Sequence, residues 1–246
     1  MKTRYLAMES WRQLKNVRSL IFSLAIPVVM LLIFANAYGT AGIDPVTRLP
    51  WAMVTTVQMG AYGGMMAALG QAFVIVTERS IGWNRQLRIT PLSGTGYLVS
   101  KVVAAMAAAL LSIVLIFVIS AATFHPAVSL GGWVLSALGL WAGILPFTLI
   151  AIMIGQFARP QFAQPLFMAV FFGLAILGGL WVPLQIMPSW VTDAAKAVPS
   201  YWLNRLGDMG ASAQGQLMQP AMVLLAWTVV LVVFISWRYR RDAARA

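Results

Sequence analysis

Cysteine is absent from this chain of 246 residues, and histidine occurs once, at His125. The first absence excludes disulfides, zinc–thiolate centres, iron–sulfur clusters and cysteine nucleophiles. The second excludes an H-E-x-x-H metalloprotease motif. Charge is scarce as well: 9% of the residues are charged and 61% are hydrophobic. A soluble domain carries about 25% charged residues, so this chain has too little polar surface to cover a globule in water. Its apolar excess has to face lipid. The fold class read from this is all-α, a polytopic membrane protein forming one transmembrane domain over residues 1–246.

A span needs about 20 mostly apolar residues. Six segments qualify, at residues 20–38, 51–76, 102–124, 133–156, 164–182 and 217–237. None holds an aspartate, glutamate, lysine, arginine or histidine. The second is long enough to tilt or to project from the membrane. Prolines at positions 27, 146 and 165 are expected to kink spans one, four and five.

The net charge of +11 could be taken for a nucleic-acid footprint, but its distribution says otherwise. The segment before span one carries net +4, the second loop +3, the fourth +1 and the tail +3, while the loops between them are neutral. Lysine and arginine resist translocation, so the basic segments stay in the cytoplasm. Fourteen of the 17 basic residues fall on that side if both termini do. The expected topology is six spans in the inner membrane of a bacterial cell, N-in and C-in, with no nucleic-acid partner. Ala35-Asn36-Ala37 has the small-x-small form of a signal-peptide cleavage site, but the basic region before the apolar run is long for a leader. Residues 3–18 place Met8, Trp11, Leu14 and Val17 at every third position, which reads as an interfacial helix or as an ordinary basic flank.

The spans hold no ionisable group for a proton relay, and a proton-driven pump is disfavoured on that ground. Paired intramembrane aspartates are absent too. There is no G-x-x-x-x-G-K-[ST], so the chain has no P-loop of its own. No metal site and no catalytic residue are expected; the chain reads as no enzyme. An active transporter of this design takes its energy from a partner.

The second cytoplasmic loop is the place where such a partner could act. It runs Thr77-Glu78-Arg79-Ser80-Ile81-Gly82-Trp83-Asn84-Arg85-Gln86-Leu87-Arg88-Ile89-Thr90-Pro91. It has room for about three helical turns before Pro91, since the residue before a proline leaves the helical region. By composition alone it is either a docking stub or a basic connector that obeys the charge rule. The residues Glu78, Arg79, Gly82, Leu87, Arg88, Pro91, Leu92, Ser93 and Lys101 resemble the segment between spans two and three in the ABC-2 family of transporter permeases. Trp83 stands where a small polar residue is commoner, and Ser80 where an acidic or polar one is usual. The resemblance implies a coupling helix docked on an ATPase, with Glu78, Arg79, Gly82, Trp83, Arg85, Leu87, Arg88 and Pro91 as its residues.

A second stretch is similar to the same family. Gly178-Gly179-Leu180-Trp181-Val182-Pro183 is followed by Met187-Pro188-Ser189-Trp190 and Val198-Pro199-Ser200-Tyr201-Trp202. The resemblance implies short re-entrant helices on the outer side, carried by Gly179, Pro183, Pro188, Trp190, Pro199, Tyr201 and Trp202. On residues alone the same stretch could be an aromatic belt at the outer interface. Gly60/Gly64 and Gly139/Gly143 have G-x-x-x-G spacing, expected to serve packing inside the bundle rather than a dimer face.

The family resemblance implies the membrane subunit of an exporter that moves a hydrophobic or amphipathic solute, such as a drug, an antibiotic or a lipid. The implied partners are an ATPase subunit that holds the ATP and magnesium, a second permease copy or a related permease, and membrane lipid. No cofactor is expected on this chain. A secondary transporter or channel without an ATPase, and a membrane accessory protein that transports nothing, remain as alternatives.

Overall fold

A computed structural model of the chain describes residues 17–37, 42–81, 94–181, 184, 187–212 and 216–243. Ten helices are seen among them: α1 (Val17–Ala37), α2 (Trp51–Leu69), α3 (Gln71–Ser80), α4 (Gly94–Thr123), α5 (Leu130–Gly143), α6 (Leu145–Phe157), α7 (Pro160–Leu177), α8 (Ser189–Ala195), α9 (Pro199–Ser212) and α10 (Met218–Ala243). The expected all-α class holds for the described residues. The interfacial helix expected at residues 3–18 lies outside them except for its last two positions.

Among the described residues, five helical paths are long and apolar enough to cross a membrane: Trp51–Ser80, Gly96–Thr123, Leu130–Phe157, Pro160–Leu177 and Met218–Arg238. Six spans were expected. The remaining segment is helical as α1, whose Ala25–Ala37 portion is apolar.

The boundaries differ from the hydropathy reading for local reasons. The second span continues past Val76 to Ser80, because Glu78 and Arg79 find partners described below. Its helical path runs through Gly70, which keeps right-handed helical torsions. The fourth span is divided at Ile144, two residues before Pro146, whose ring nitrogen cannot donate to the preceding turn. The fifth stops at Leu177 rather than 182. Gly178 ends it and Gly179 adopts a φ of +70°, a conformation open to glycine.

α2 is the axis of the bundle, buried on almost all sides. It packs against α1, α4, α5, α6, α7 and α9. Such a helix is apolar all round rather than amphipathic, and its few polar groups are paired within the bundle. The Thr56 hydroxyl bonds that of Ser120 on α4, and Gln58 Nε2 donates to the Gly179 carbonyl at 3.2 Å. Elsewhere Trp141 Nε1 on α5 donates to the Met106 carbonyl on α4 at 3.0 Å. Outward faces are apolar, as lipid requires: Val99, Val103 and Val118 on α4, and Leu225, Val229 and Val233 on α10, are all exposed.

The glycine pairs face neighbouring helices. Gly60 lies against Phe117 and Leu140, and Gly64 against Ile113 and Ile144. Gly139 meets Leu206, and Gly143 meets Leu203 and Leu224. α9, one of two short helices between the last two spans, is thereby seated on the glycine face of α5.

Candidate functional site

Two groups of residues carry chemistry, one at each end of the long path from Trp51 to Ser80. The first surrounds the roots of residues 82–93, the heart of the second loop. Glu78 and Arg79 occupy the last turn of α3. Lys101 and Tyr97 lie in the first two turns of α4, on the far side of the loop.

Lys101 is fully buried, with its Nζ 2.6 Å from Glu78 Oε1. The other Glu78 oxygen accepts from the Tyr97 hydroxyl at 2.6 Å. The ammonium also sits 5.1 Å from the centre of the Tyr97 ring, within reach of a cation–π attraction. Taking a lysine out of water is costly, and only a close, hydrogen-bonded counter-charge offsets it. The carboxylate therefore does two things: it compensates Lys101, and it ties the end of α3 to the start of α4.

Arg79 reaches a third helix. Its Nη1 donates to the carbonyls of Gly155 at 2.9 Å and Ala158 at 3.3 Å. Both belong to the C-terminal turn of α6, where carbonyls have no helical partner and a cation is favoured. α3 and α6 come close here because Gly155 has no side chain: a Cβ there would meet Ile75 at 2.6 Å. Arg79→Met leaves two carbonyls without their charged donor. It is expected to cost about 1.5–3 kcal/mol of stability, read as a lower melting temperature of the detergent-purified chain. An unchanged melting temperature would mean that water replaces the guanidinium.

Of the residues expected to form the coupling segment, Glu78 is brought to Lys101 and Arg79 to the end of α6. Gly82, Trp83, Arg85, Leu87, Arg88 and Pro91 lie outside the described residues. The role of Tyr97 had no sequence signal beyond its place one turn before Lys101.

The second group lies at the opposite end. Residues 42–50 fold into a tight turn, in which Asp44 Oδ2 accepts from the Thr47 backbone N–H at 2.6 Å and from its hydroxyl at 2.7 Å. Beyond α7, Pro188 precedes α8 and Pro199 opens α9. Trp202 Nε1 donates to the Lys196 carbonyl at 2.7 Å, closing the short link between these helices, and Tyr201 packs edge-on against Trp202. Trp190 is exposed on α8. Pro183 lies outside the described residues. Gly179, Tyr201, Gln58 and Asp44 line one cavity of about 210 Å³ together with Arg205 and Asp208 of α9. In the sequence Asp208 counts only as one of the charges that leave the fifth loop neutral. The structure instead buries Asp208, which is 7% exposed. Among the described residues no group of three or more acidic or histidine side chains is placed to hold a metal ion.

A model of the family described as ABC-2 type transporter matches residues 1–206. A protein of Bacillus subtilis (strain 168) that carries the name transport permease YvfS is 28% identical over 236 residues, a match covering 96% of each chain.

Proposed function

The chain belongs to the ABC-2 type transporter family, and from that premise we propose that it is the membrane subunit of an ATP-driven exporter. It crosses the bacterial inner membrane six times with both ends in the cytoplasm, α1 supplying the first span. The alternation of basic and neutral segments supports this orientation. The family match supports a separate ATPase subunit, on which ATP and magnesium are held, and a second copy or related permease completing the transporter. α7 and α10, each buried over 22% of its apolar window, leave the most surface for lipid or for that second permease. The solute is hydrophobic or amphipathic, a drug, an antibiotic or a lipid, in keeping with apolar runs that hold no aspartate, glutamate, lysine, arginine or histidine.

The observation that carries the mechanism is the clamp of Glu78, Arg79, Tyr97 and Lys101. It holds both roots of residues 82–93 and joins them to α6. Closure of the ATPase pair pushes on this segment. Because α3, α4 and α6 are pinned at one point, they move together, and the displacement enters the bundle rather than being absorbed in the loop. The two short helices α8 and α9 are the re-entrant elements that cover the outer end.

The test is a pull-down of the chain from mild detergent, with mass spectrometry of what accompanies it. A P-loop ATPase at one-to-one stoichiometry is expected. Arg85→Glu with Arg88→Glu is expected to release it, or to lower transport-coupled ATP turnover at least tenfold in proteoliposomes. A chain that comes down alone, with transport intact, sinks the reading in favour of a secondary carrier or channel.

A further inference from the structure

The cavity at the Trp51 end has an electrostatic imbalance that the coupling mechanism does not use. Five ionisable side chains line it: Asp44, Lys196, Tyr201, Arg205 and Asp208. Of these, Asp44 is 2% exposed and Asp208 is 7% exposed. Lys196 is engaged by Asp193 at 2.8 Å in an exposed pair on α8. Arg205 stands three residues before Asp208 on α9, yet the two form no ion pair, and the Arg205 Nε is buried without a hydrogen-bond partner. Asp208 Oδ1 and Asn204 Oδ1 are likewise buried with no partner among the described residues. The helices packed around α9 do not help. α5 and α7 hold no ionisable residue, the ionisable side chain of α2 is Tyr62, about three turns deeper, and the charges of α10 begin at Arg238, at its far end.

Asp208 and Asn204 both line this space, together with the apolar Trp51, Val54 and Leu184 and the polar Thr47, Gln58 and Thr192. A buried carboxylate with no donor is costly unless a proton or a cation joins it. A bare metal ion would find a poor set of ligands here, since Asp44 is already committed to Thr47. An alkylammonium fits better, because its N–H groups can meet the Asp208 carboxylate while its carbon body meets Trp51, Val54 and Leu184.

We propose that this cavity binds the primary ammonium group of an amphipathic amine, with Asp208 as its counter-charge. The inference does not rest on coupling to an ATPase. The ligand and a proton compete for one carboxylate. Burial first, and the charge of Asp44 second, push the Asp208 carboxyl up to about 7 against the opposing pull of Arg205. Below that pH the site holds a proton that the ammonium must displace, so affinity falls about tenfold for each unit of acidification and levels off above it. The ammonium could come from a free amine in solution or from the amino headgroup of a membrane lipid; the chemistry at Asp208 is the same.

The experiment uses the full chain in phosphatidylcholine nanodiscs, a lipid with no primary amine, and phenethylammonium as the probe. Binding is followed by calorimetry and by tryptophan emission. Saturable one-to-one binding is expected, at least fivefold tighter at pH 8 than at pH 6, and absent for the uncharged analogue 2-phenylethanol. Asp208→Asn is expected to weaken binding at least tenfold and to abolish its pH dependence. The same substitution removes a charge that is unfavourable in the folded state above the raised pKa. It is therefore expected to raise the melting temperature at pH 8 and to change it little at pH 4, so lost binding cannot be ascribed to unfolding. Replacing phosphatidylcholine with phosphatidylethanolamine identifies the source: competition with the probe points to the lipid headgroup, and unchanged affinity to a free amine. Equal binding by Asp208→Asn, equal binding of 2-phenylethanol, or no saturable binding in phosphatidylcholine overturns the proposal.

Discussion

Lys101→Met is expected to destabilise the chain by about 3–5 kcal/mol, the usual cost of removing one partner from a buried ion pair. Lys101 is fully buried, and the Glu78 side chain is 16% exposed. Without the ammonium, Glu78 keeps a neutral partner, the Tyr97 hydroxyl at 2.6 Å, but loses its compensating charge. Glu78→Gln harms in the complementary way, by leaving a buried cation. The double substitution Glu78→Gln/Lys101→Met removes both charges together, so it is expected to recover a large part of what each single variant loses. Thermal unfolding of the four proteins in one detergent gives the coupling energy directly. A coupling energy near zero would mean that the pair is solvated and the clamp is not a unit. The double variant also separates stability from function. It should fold, and, if the clamp transmits force, still couple ATP turnover poorly to transport.

The second large effect concerns the seat of α9. Gly210→Ala should lower the melting temperature clearly, while Gly173→Ala should hold it or raise it slightly. An added Cβ at Gly210 would lie 2.8 Å from the Ser136 nitrogen and 2.9 Å from the Leu135 carbonyl carbon and Ser136 Cα. These are backbone atoms of α5, which cannot rotate aside, so the helices must separate. Overpacking of this kind costs about 1–3 kcal/mol. It outweighs the gain of up to about 1 kcal/mol that alanine brings to a helix over glycine. At Gly173 nothing lies within 4 Å, and that gain stands alone. Gly132→Ala should behave like Gly210→Ala, its Cβ meeting the Ala211 carbonyl oxygen at 2.5 Å. If Gly210→Ala and Gly173→Ala proved equally benign, the two helices would not be in backbone contact.

Apolar runs and charge placement make the spans legible because lipid imposes both. Contacts between spans are written less openly. Glu78 and Lys101 both count as members of one basic loop, yet nothing local says that residues 23 positions apart meet across it. The acceptors of Arg79 are carbonyls, which have no sequence signature at all. The G-x-x-x-G spacing flags Gly139 and Gly143, while Gly132 and Gly207, which make closer approaches, and Gly210, which meets backbone, lie outside it. Asp208 is the sharpest case. A charge tally gives its sign and its side of the membrane, but burial depends on where α9 lies, and that is fixed by contacts with α5 and α2.

The helical path from Trp51 to Ser80 holds Gln58 near one end and Glu78 at the other. At about 1.5 Å per residue it is roughly 45 Å long, and it passes through Gly70 without leaving helical torsions. Under the proposed mechanism, a displacement at Glu78 is carried along one continuous path toward the Gln58–Gly179 bond, so the two ends of the bundle are mechanically linked. The break after Leu177, where the chain leaves the bundle for α8 and α9, is where the opposite end can move apart from that path.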